Sequence, residues 1–483
     1  MKILLIQPPP NTEFGLLRLG RIEPLGIECI GAALEQDEHE VRVVDMRVDG
    51  WSSLQSQFET FGPDAVGVAC QFMTDVYSAL HVGGFLRALD PKVTLFVGGH
   101  HATLQDNDFM FKGTPFDALV VGEGEYTSRN LVRALRDGKP IHTVPGIITP
   151  ANRHKGFQPG ETVDNLDKIM LPARHLTKRY RNKYHQANRV PTAAVETSRG
   201  CPFDCNFCSI WKFHGRQVRH RTPSRIIDDL NSIEEANIFF TDDIAFLHHS
   251  RYKELGNRIK DVGVLRHFAA ETRADLVVRH RDLFELWYEV GMRTIFMGIE
   301  KIDNDGLKSV RKHTDKEKNA LAIRILQDIG IRPMPSFIID PQWTEEDFDR
   351  LEAYLEKMQI NQSTFTILTP LPGTDLYETY RNRIVTHNYL MYDVLHTVLP
   401  TKLSLERFYE RVARLWSMTA KHQRIGYKAV RSALRLHLRG AGFVFWRLIR
   451  GLRELRDPKA FLEIPVEYPP PGVVKFAQIL EQQ

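Results

Sequence analysis

Glu196-Thr-Ser-Arg-Gly-Cys201-Pro-Phe-Asp-Cys205-Asn-Phe-Cys208, directly after the apolar run Thr192–Val195, decides how this chain is read. The run reads as a strand ending in a loop, and the loop delivers three cysteines in a C-x3-C-x2-C clip. Thiolates are soft ligands that select zinc or iron–sulfur clusters. Three within eight residues, with no fourth nearby, leave one iron of a four-iron cluster open to bind and activate a substrate. His214 keeps a second possibility in view, a Cys3His zinc site. A structural disulfide is the weaker reading. The chain has five cysteines, an odd number, and no secretory signal precedes them. That usage points to a reducing, cytosolic compartment.

The 483 residues are enough for two or three domains, each with its own core. At 42% hydrophobic and 26% charged residues, the composition is that of an ordinary globular protein. No apolar run is long enough for a transmembrane helix. The net charge is +4, yet residues 421–460 hold eleven Lys or Arg against Glu454 and Asp457. That segment alone is +9, which leaves about −5 for the rest of the chain. No internal repeat stands out, and the Pro-rich stretches are short (Pro8–Pro10 and Pro469–Pro471).

From about 191 to 375 the chain repeats a strand-then-helix rhythm. Expected strands are Ala193–Thr197, Ile238–Thr241, His267–Glu271, Thr294–Glu300, Met334–Ile339 and Ser363–Thr369. Expected helices are Pro223–Glu235, Ser250–Val262, Arg279–Val290, Asp315–Ile329 and Thr344–Met358. Six such units fit a partial (β/α)6 barrel of the TIM type, whose functional loops lie at the strand carboxyl ends. The cysteine clip follows the first strand, where chemistry belongs, and this favours a cluster over zinc.

Residues 1–150 read as an α/β unit as well. Strand-like runs at Lys2–Ile6, Val41–Asp45, Ala65–Ala69, Val93–Val97 and Ala118–Val121 alternate with helical stretches such as Gly26–Gln36 and Asp75–Leu89. The expectation is a doubly wound, Rossmann-like parallel sheet that binds its ligand at the strand ends. Gly98-Gly99 and Gly122-Glu123-Gly124 fall at those ends, where glycine lets a large flat ligand approach the backbone. Tight turns would explain the same glycines. Cys29 and Cys70 read as small buried thiols. Residues 151–190 form a basic linker carrying Arg174, Lys178, Arg179, Arg181, Lys183 and Arg189, and 376–483 a helical C-terminal domain.

Two resemblances follow from these motifs. The start Lys2–Pro9, Pro24-Leu-Gly26, Gly98-Gly-His-His-Ala-Thr103 and Gly122-Glu-Gly-Glu125 resemble the cobalamin-binding domain attached to many radical S-adenosylmethionine enzymes. Many cobalamin domains carry an Asp-x-His-x-x-Gly motif after the first strand, and Pro8–Gly20 contains no histidine. The resemblance implies cobalamin bound by Pro8, Pro9, Gly98, Gly99, His100, Gly122, Glu123 and Gly124, without a protein imidazole on cobalt. The clip, with Phe207 as its aromatic, is similar to the family's C-x3-C-x-aromatic-C pattern. By that resemblance Cys201, Cys205 and Cys208 hold a 4Fe-4S cluster whose open iron chelates S-adenosylmethionine. Phe207, Asp242 and Asp243 then take the methionyl amine region, and Glu271, Arg273, Gly298 and Glu300 the carboxylate and ribose. The Asp340-Pro341 ending of the fifth strand departs from the usual Gly-rich turn. A solvated strand end is the plain alternative for each acid. No protein catalytic residue is assigned.

Together the cofactors imply radical methylation: a 5′-deoxyadenosyl radical takes hydrogen from an unactivated carbon and methylcobalamin supplies the methyl group. Over most of its length the chain resembles the hopanoid C-3 methylase group, including Ser198–Gly215 and Val394–Thr401. That implies a lipid substrate and an external electron donor of the flavodoxin or ferredoxin type. Leu403–Trp416 reads as a helix, and Val430–Leu455 interleaves arginines with apolar and aromatic side chains. Such a segment suits peripheral contact with the inner face of a membrane through 421–460, a solvated helical cap, or RNA. Nucleic acid is not expected, because the rest of the chain is acidic. Competing readings are another substrate of the same chemistry (an antibiotic precursor or a porphyrin, with cyclisation in place of methylation), an RNA-modifying radical enzyme, and a non-enzymatic cofactor carrier.

Overall fold

In a computed structural model, residues 1–153, 157–263, 266–419 and 441–466 are described. The first sheet comprises β1 (Lys2–Gln7), β2 (Glu40–Asp45), β3 (Ala65–Ala69), β4 (Thr94–Gly98), β5 (Ala118–Val120) and β6 (Ile147–Ile148). Their order is β2-β1-β3-β4-β5-β6, parallel except for β6. Ile3 pairs with Val41 on one side and Ala65 on the other, so β1 is central. Its side chains alternate between two cores, as a pleated strand requires. Ile3 and Leu5 meet the helices Leu25–Glu35 and Gly124–Arg136 through Ile27, Leu34 and Leu131. Leu4 and Ile6 face Leu54, Phe58 and Leu80 of the helices Trp51–Phe61 and Val76–Leu89. Burial on both faces explains the continuous apolar runs, each such side chain contributing about 1.5–3 kcal/mol.

The second sheet is fully parallel, with β7 (Thr192–Val195), β8 (Asn237–Phe240), β9 (His267–Thr272), β10 (Met292–Glu300), β11 (Arg332–Ile339) and β12 (Thr364–Ile367) adjacent in chain order. This is the open six-stranded barrel that the sequence implies. Its core is aromatic. Trp287 is fully buried against Phe240, Phe246 and Phe268 and donates its indole N–H to the Tyr252 carbonyl at 3.0 Å. The expected helix 279–290 is Arg281–Glu289, and a further helix, Ala274–Arg279, precedes it, parted from it at His280, whose backbone is not helical. The helices Trp51–Phe61, Gly124–Arg136 and Asn304–Ser309 are additional to those expected.

The basic stretch Arg174–Lys183 is a run of 3₁₀ turns whose cations find acids on loops and a helix flanking the two sheets. Arg174 bridges Glu23 (2.5 Å) and Asp229 (3.0 Å), Arg181 bridges Glu23 and Glu235, and Arg179 reaches Asp49 (2.7 Å). Further on, helix Leu405–Met418 packs Phe408, Val412, Leu415 and Trp416 into the barrel core beside β12. Of the basic amphipathic segment Val430–Leu455, residues 430–440 lie outside the described residues, as does Pro469–Pro471. Its described part is the helix Gly442–Glu454. Among the described residues no helix is long and apolar enough to cross a membrane.

Candidate functional site

The cysteine clip begins at a residue that only glycine can be. Gly200 has φ +94°, and a Cβ there would collide with the Gln217 carbonyl. Beyond it the clip is sewn to the barrel mouth from three directions. Asn206 takes bonds from its backbone N–H to the Val310 carbonyl (3.4 Å) and from its side-chain amide to the Ser309 carbonyl (2.8 Å). His313 meets Asp204 at 2.6 Å, and the Arg273 guanidinium lies 3.7 Å from the Phe203 ring centroid. The Leu376 N–H donates to the Asn206 carbonyl at 2.9 Å. Phe207 packs on the small cluster of Ile338, Leu368 and Leu376 beside the ends of β11 and β12.

All three thiols are free, and Cys208 is raised by the charges of both other cysteines as well as by burial. Burial dominates and pushes Cys208 up to about 12; it raises Cys201 and Cys205 too, against the opposing charges of Arg273 and Lys312. Three mutually close thiols beside two cations are a donor set suited to an anionic multi-iron cluster, because buried thiolates need positive compensation. The zinc alternative lacks its fourth ligand. His214 turns Nδ1 toward Arg219 (3.0 Å) and Glu123 (3.6 Å) and Nε2 toward Asp243 (3.6 Å). Among the described residues, no three His, Cys, Asp or Glu side chains close on a single metal ion.

The strand-end acids divide into two groups. Asp242 does not fit the methionyl-amine role expected of it, because its carboxylate is already taken up. Oδ1 accepts from the backbone N–H groups of Thr197 (2.6 Å) and Ser198 (3.1 Å). Oδ2 accepts from the hydroxyls of Thr197 (2.5 Å), Ser198 (2.9 Å) and Tyr252 (2.6 Å). It is a buried structural hub. Asp243 holds the clip by accepting from the Gly200 N–H at 2.7 Å, and burial pushes its carboxyl up to about 6.

Glu271, Glu300 and Lys312 form the second group. Lys312 Nζ donates to Glu300 Oε1 at 2.7 Å, with both residues buried. Gly298 makes room for them: a Cβ there would overlap Glu300 Oε1 and stand 2.5 Å from Lys312 Nζ. Glu300 has φ +64°, and Arg311 and His313, which flank Lys312, have φ +53° and +52°. Left-handed backbone at three non-glycine residues is strain held by the surroundings, and such strain gathers at functional sites. Arg273 pins the turn by donating to the Lys312 carbonyl at 2.7 Å. Glu271 is accessible, yet the protein around it desolvates it enough to push its carboxyl up to about 7. Glu300 and Asp243 add to that rise and Lys312 opposes it.

At the first sheet, Pro8 and Pro9 follow β1, and Gly98-Gly99 closes β4 against Cys70, whose N–H donates to the Gly98 carbonyl at 2.7 Å. Gly99, at φ +121°, would strike the Cys70 carbonyl with any Cβ. Gly122, at φ +78°, has open space around it, and Ile30 presses on Gly124. His100 and Glu123 cross to the barrel. His100 Nε2 is 2.8 Å from Ser209 Oγ, its ring stacks on Phe213 at 4.7 Å, and burial lowers its pKa to about 4. Glu123 accepts from Arg219 at 2.7 and 2.8 Å. The carboxyl ends of the two sheets therefore meet, with Ser209 next to Cys208. His101 is turned elsewhere, bonded to Asp108 at 2.7 Å, which also accepts from Tyr389 at 3.0 Å.

Two residues absent from the sequence reading belong to this region. Lys312 lies in the polar run Arg311-Lys-His-Thr314, which reads as a solvated turn. Phe72, 68% exposed just past β3, leaves an open aromatic face at the carboxyl edge of the first sheet.

A B12 binding domain is matched over residues 17–132 and the radical SAM superfamily over residues 195–355. The chain is 33% identical to the hopanoid C-3 methylase of Methylococcus capsulatus over 477 residues, 97% of this chain and 91% of that protein. Its fold is similar to that of OxsB, a cobalamin-dependent S-adenosylmethionine radical enzyme solved with aqua-cobalamin, at TM-score 0.68 and 17% identity. That match covers 95% of this chain and 74% of the other. It is also similar to TsrM, a radical S-adenosylmethionine methyltransferase from Kitasatospora setae solved with cobalamin and a 4Fe-4S cluster. There the TM-score is 0.66 at 16% identity, over 93% of this chain and 99% of the other.

Proposed function

Because the chain belongs to the cobalamin-dependent radical S-adenosylmethionine methyltransferases, we propose that it methylates an unactivated sp3 carbon of a polycyclic lipid, C-3 of a hopanoid. The observation that carries the two-cofactor reading is the His100–Ser209 bond. It brings the glycine-rich loop of the first sheet to the residue after the last cluster cysteine.

Cys201, Cys205 and Cys208 would hold the 4Fe-4S cluster, Glu271, Glu300 and Arg273 would surround S-adenosylmethionine, and Gly98, Gly99 and Gly122 would admit the corrin. When bound, these groups supply a 5′-deoxyadenosyl radical and a transferable methyl group. What the protein does is positional. Arg273 ties the Phe203 face of the clip to the Lys312 turn, so the cluster loop and the Glu300 end of β10 move as one body. Lys312 pairs with Glu300 and fixes where its carboxylate points. His100, held neutral by burial, adds no charge at the junction between the two sheets.

Support for the lipid substrate is the extent of the likeness to the hopanoid enzyme, which runs through the C-terminal region. An apolar groove of about 500 Å³, lined by residues including Val385, Met391, Leu399, Pro400 and Ile464, suits a fused-ring hydrocarbon. An external one-electron donor of the flavodoxin or ferredoxin class completes the proposal. Anaerobic protein carrying cluster and methylcobalamin, incubated with reductant, S-adenosylmethionine and desmethyl hopanoid, should yield 3-methylhopanoid and 5′-deoxyadenosine. 5′-Deoxyadenosine without methylated hopanoid would reject the substrate and keep the chemistry.

A further inference from the structure

We propose that the face of the helix Gly442–Glu454 bearing Trp446, Arg450 and Arg453 docks on an anionic lipid bilayer. The other face of this helix is already engaged. Val444 and Gly451 are buried, and Gly451 brings the helix against Gly15, whose carbonyl lies 2.8 Å from where a Cβ would stand. Arg447 pairs with Glu13 at 2.5 Å and donates to the Leu17 carbonyl at 3.1 Å. Glu454 accepts from the Gly15 N–H (3.1 Å) and from Arg18 (2.9 Å). Residues 444, 447, 448 and 451 recur at helical spacing, so this stripe fixes the helix to the first domain.

Residues 446, 450 and 453 follow the same i, i+4, i+7 rule on the outward side. Trp446 is 69% exposed, a large aromatic left in water. Among the described residues, Arg450 pairs only within its own helix, with Glu454 at 3.0 Å, and Arg453 has no ion-pair partner. Past the helix, Arg456 joins Arg450 and Arg453 around an open pocket of about 450 Å³ completed by Glu454, Asp457 and Ala460.

An indole flanked by arginines fits the headgroup boundary, where the ring meets acyl chains and the guanidiniums meet phosphate. The charge selects an anionic surface. The helix is too short and too polar to span, so it would lie on the bilayer. This surface is independent of the reaction: docking can hold with any substrate, and methylation can occur in detergent without docking.

The test is flotation of the full-length, cluster-loaded protein with vesicles of phosphatidylcholine alone or with one-quarter phosphatidylglycerol, at low and high salt. Binding is expected only to the anionic vesicles and should weaken with salt. R450Q/R453Q should cut partitioning by about 20-fold, taking a few-fold per arginine near such a surface. W446A should weaken it further, and circular dichroism and cluster content should match the parent because the three residues are exposed. Equal binding to neutral vesicles, undiminished binding by the variants, or preferential variant-sensitive binding to an RNA homopolymer would each overturn the proposal.

Discussion

Lys312 Nζ lies 2.7 Å from Glu300 Oε1 inside the barrel, and the pair occupies the space left by the missing side chain of Gly298. Two left-handed residues, Arg311 and His313, bend the chain so that this ammonium arrives there. One compact relationship thus links strain, a glycine and a buried ion pair at the end of β10.

Replacing Lys312 with Met should leave Glu300 buried without its counter-charge. Breaking a buried pair by removing one partner costs about 3–5 kcal/mol. We expect a lower melting temperature and an S-adenosylmethionine affinity reduced by about tenfold or more, taking 1.4 kcal/mol per decade. Lys312→Arg should recover part of both. Wild-type affinity in Lys312→Met, measured by equilibrium binding to cluster-loaded protein, would show that the pair serves packing alone.

Glu271 carries a pH prediction. Desolvation raises its carboxyl to about 7, so near neutrality it is partly protonated before ligand arrives. A cationic sulfonium ligand favours the ionised form and lowers that pKa on binding, so binding releases a proton. Affinity for S-adenosylmethionine should therefore rise with pH up to about 7 and level off above it. Stability without ligand should run the opposite way. A carboxyl raised above its unfolded value loses stabilisation as pH climbs from about 4.5, the unfolded value, to about 7. Titrations at pH 6, 7 and 8 check the first trend, and Glu271→Gln should flatten both.

His100→Ala removes the bond to Ser209 and the stack on Phe213 at the junction of the two sheets. The barrel and its clip keep their other anchors, so 5′-deoxyadenosine formation should persist. Methyl transfer should fall more steeply, giving several 5′-deoxyadenosines per methylated product where the parent is closer to one. Parallel loss of both products would place His100 in cluster support instead.

What the sequence made legible followed from periodicity. The first sheet carries its strands as apolar runs because it is buried on two faces, whereas barrel strands such as β8 and β12 alternate buried with half-buried residues; β1 and β7–β12 fall where the apolar runs lie. The clip was legible because cysteine spacing survives any packing. Lys312 was not, since twelve residues separate it from Glu300 and only the backward bend of a strained turn joins them. Nor was the fate of His100, whose partner Ser209 is 109 residues away. The partners of the basic stretch 174–183 were hidden for the same reason: its acids, Glu23, Asp49, Asp229 and Glu235, come from distant elements.

Asp242 separates a structural role from a ligand role most sharply. Its two oxygens accept five hydrogen bonds, two from backbone N–H groups and three from hydroxyls, all buried. Asp242→Asn removes the charge and turns one acceptor into a donor facing two backbone N–H groups or three hydroxyls. Hydroxyls can rotate, whereas the N–H groups cannot, so the amide oxygen should stay toward Thr197 and Ser198. Losing the charge-assisted bonds on the other side should cost about 2–4 kcal/mol, several bonds to a charged group at 1.5–3 kcal/mol each with partial rescue by rotation. The variant should unfold at lower temperature, yet well below its transition it should bind S-adenosylmethionine within about twofold of the parent, a difference of under 0.5 kcal/mol. A large loss of affinity at unchanged stability would return Asp242 to the methionyl amine and displace the hub assignment.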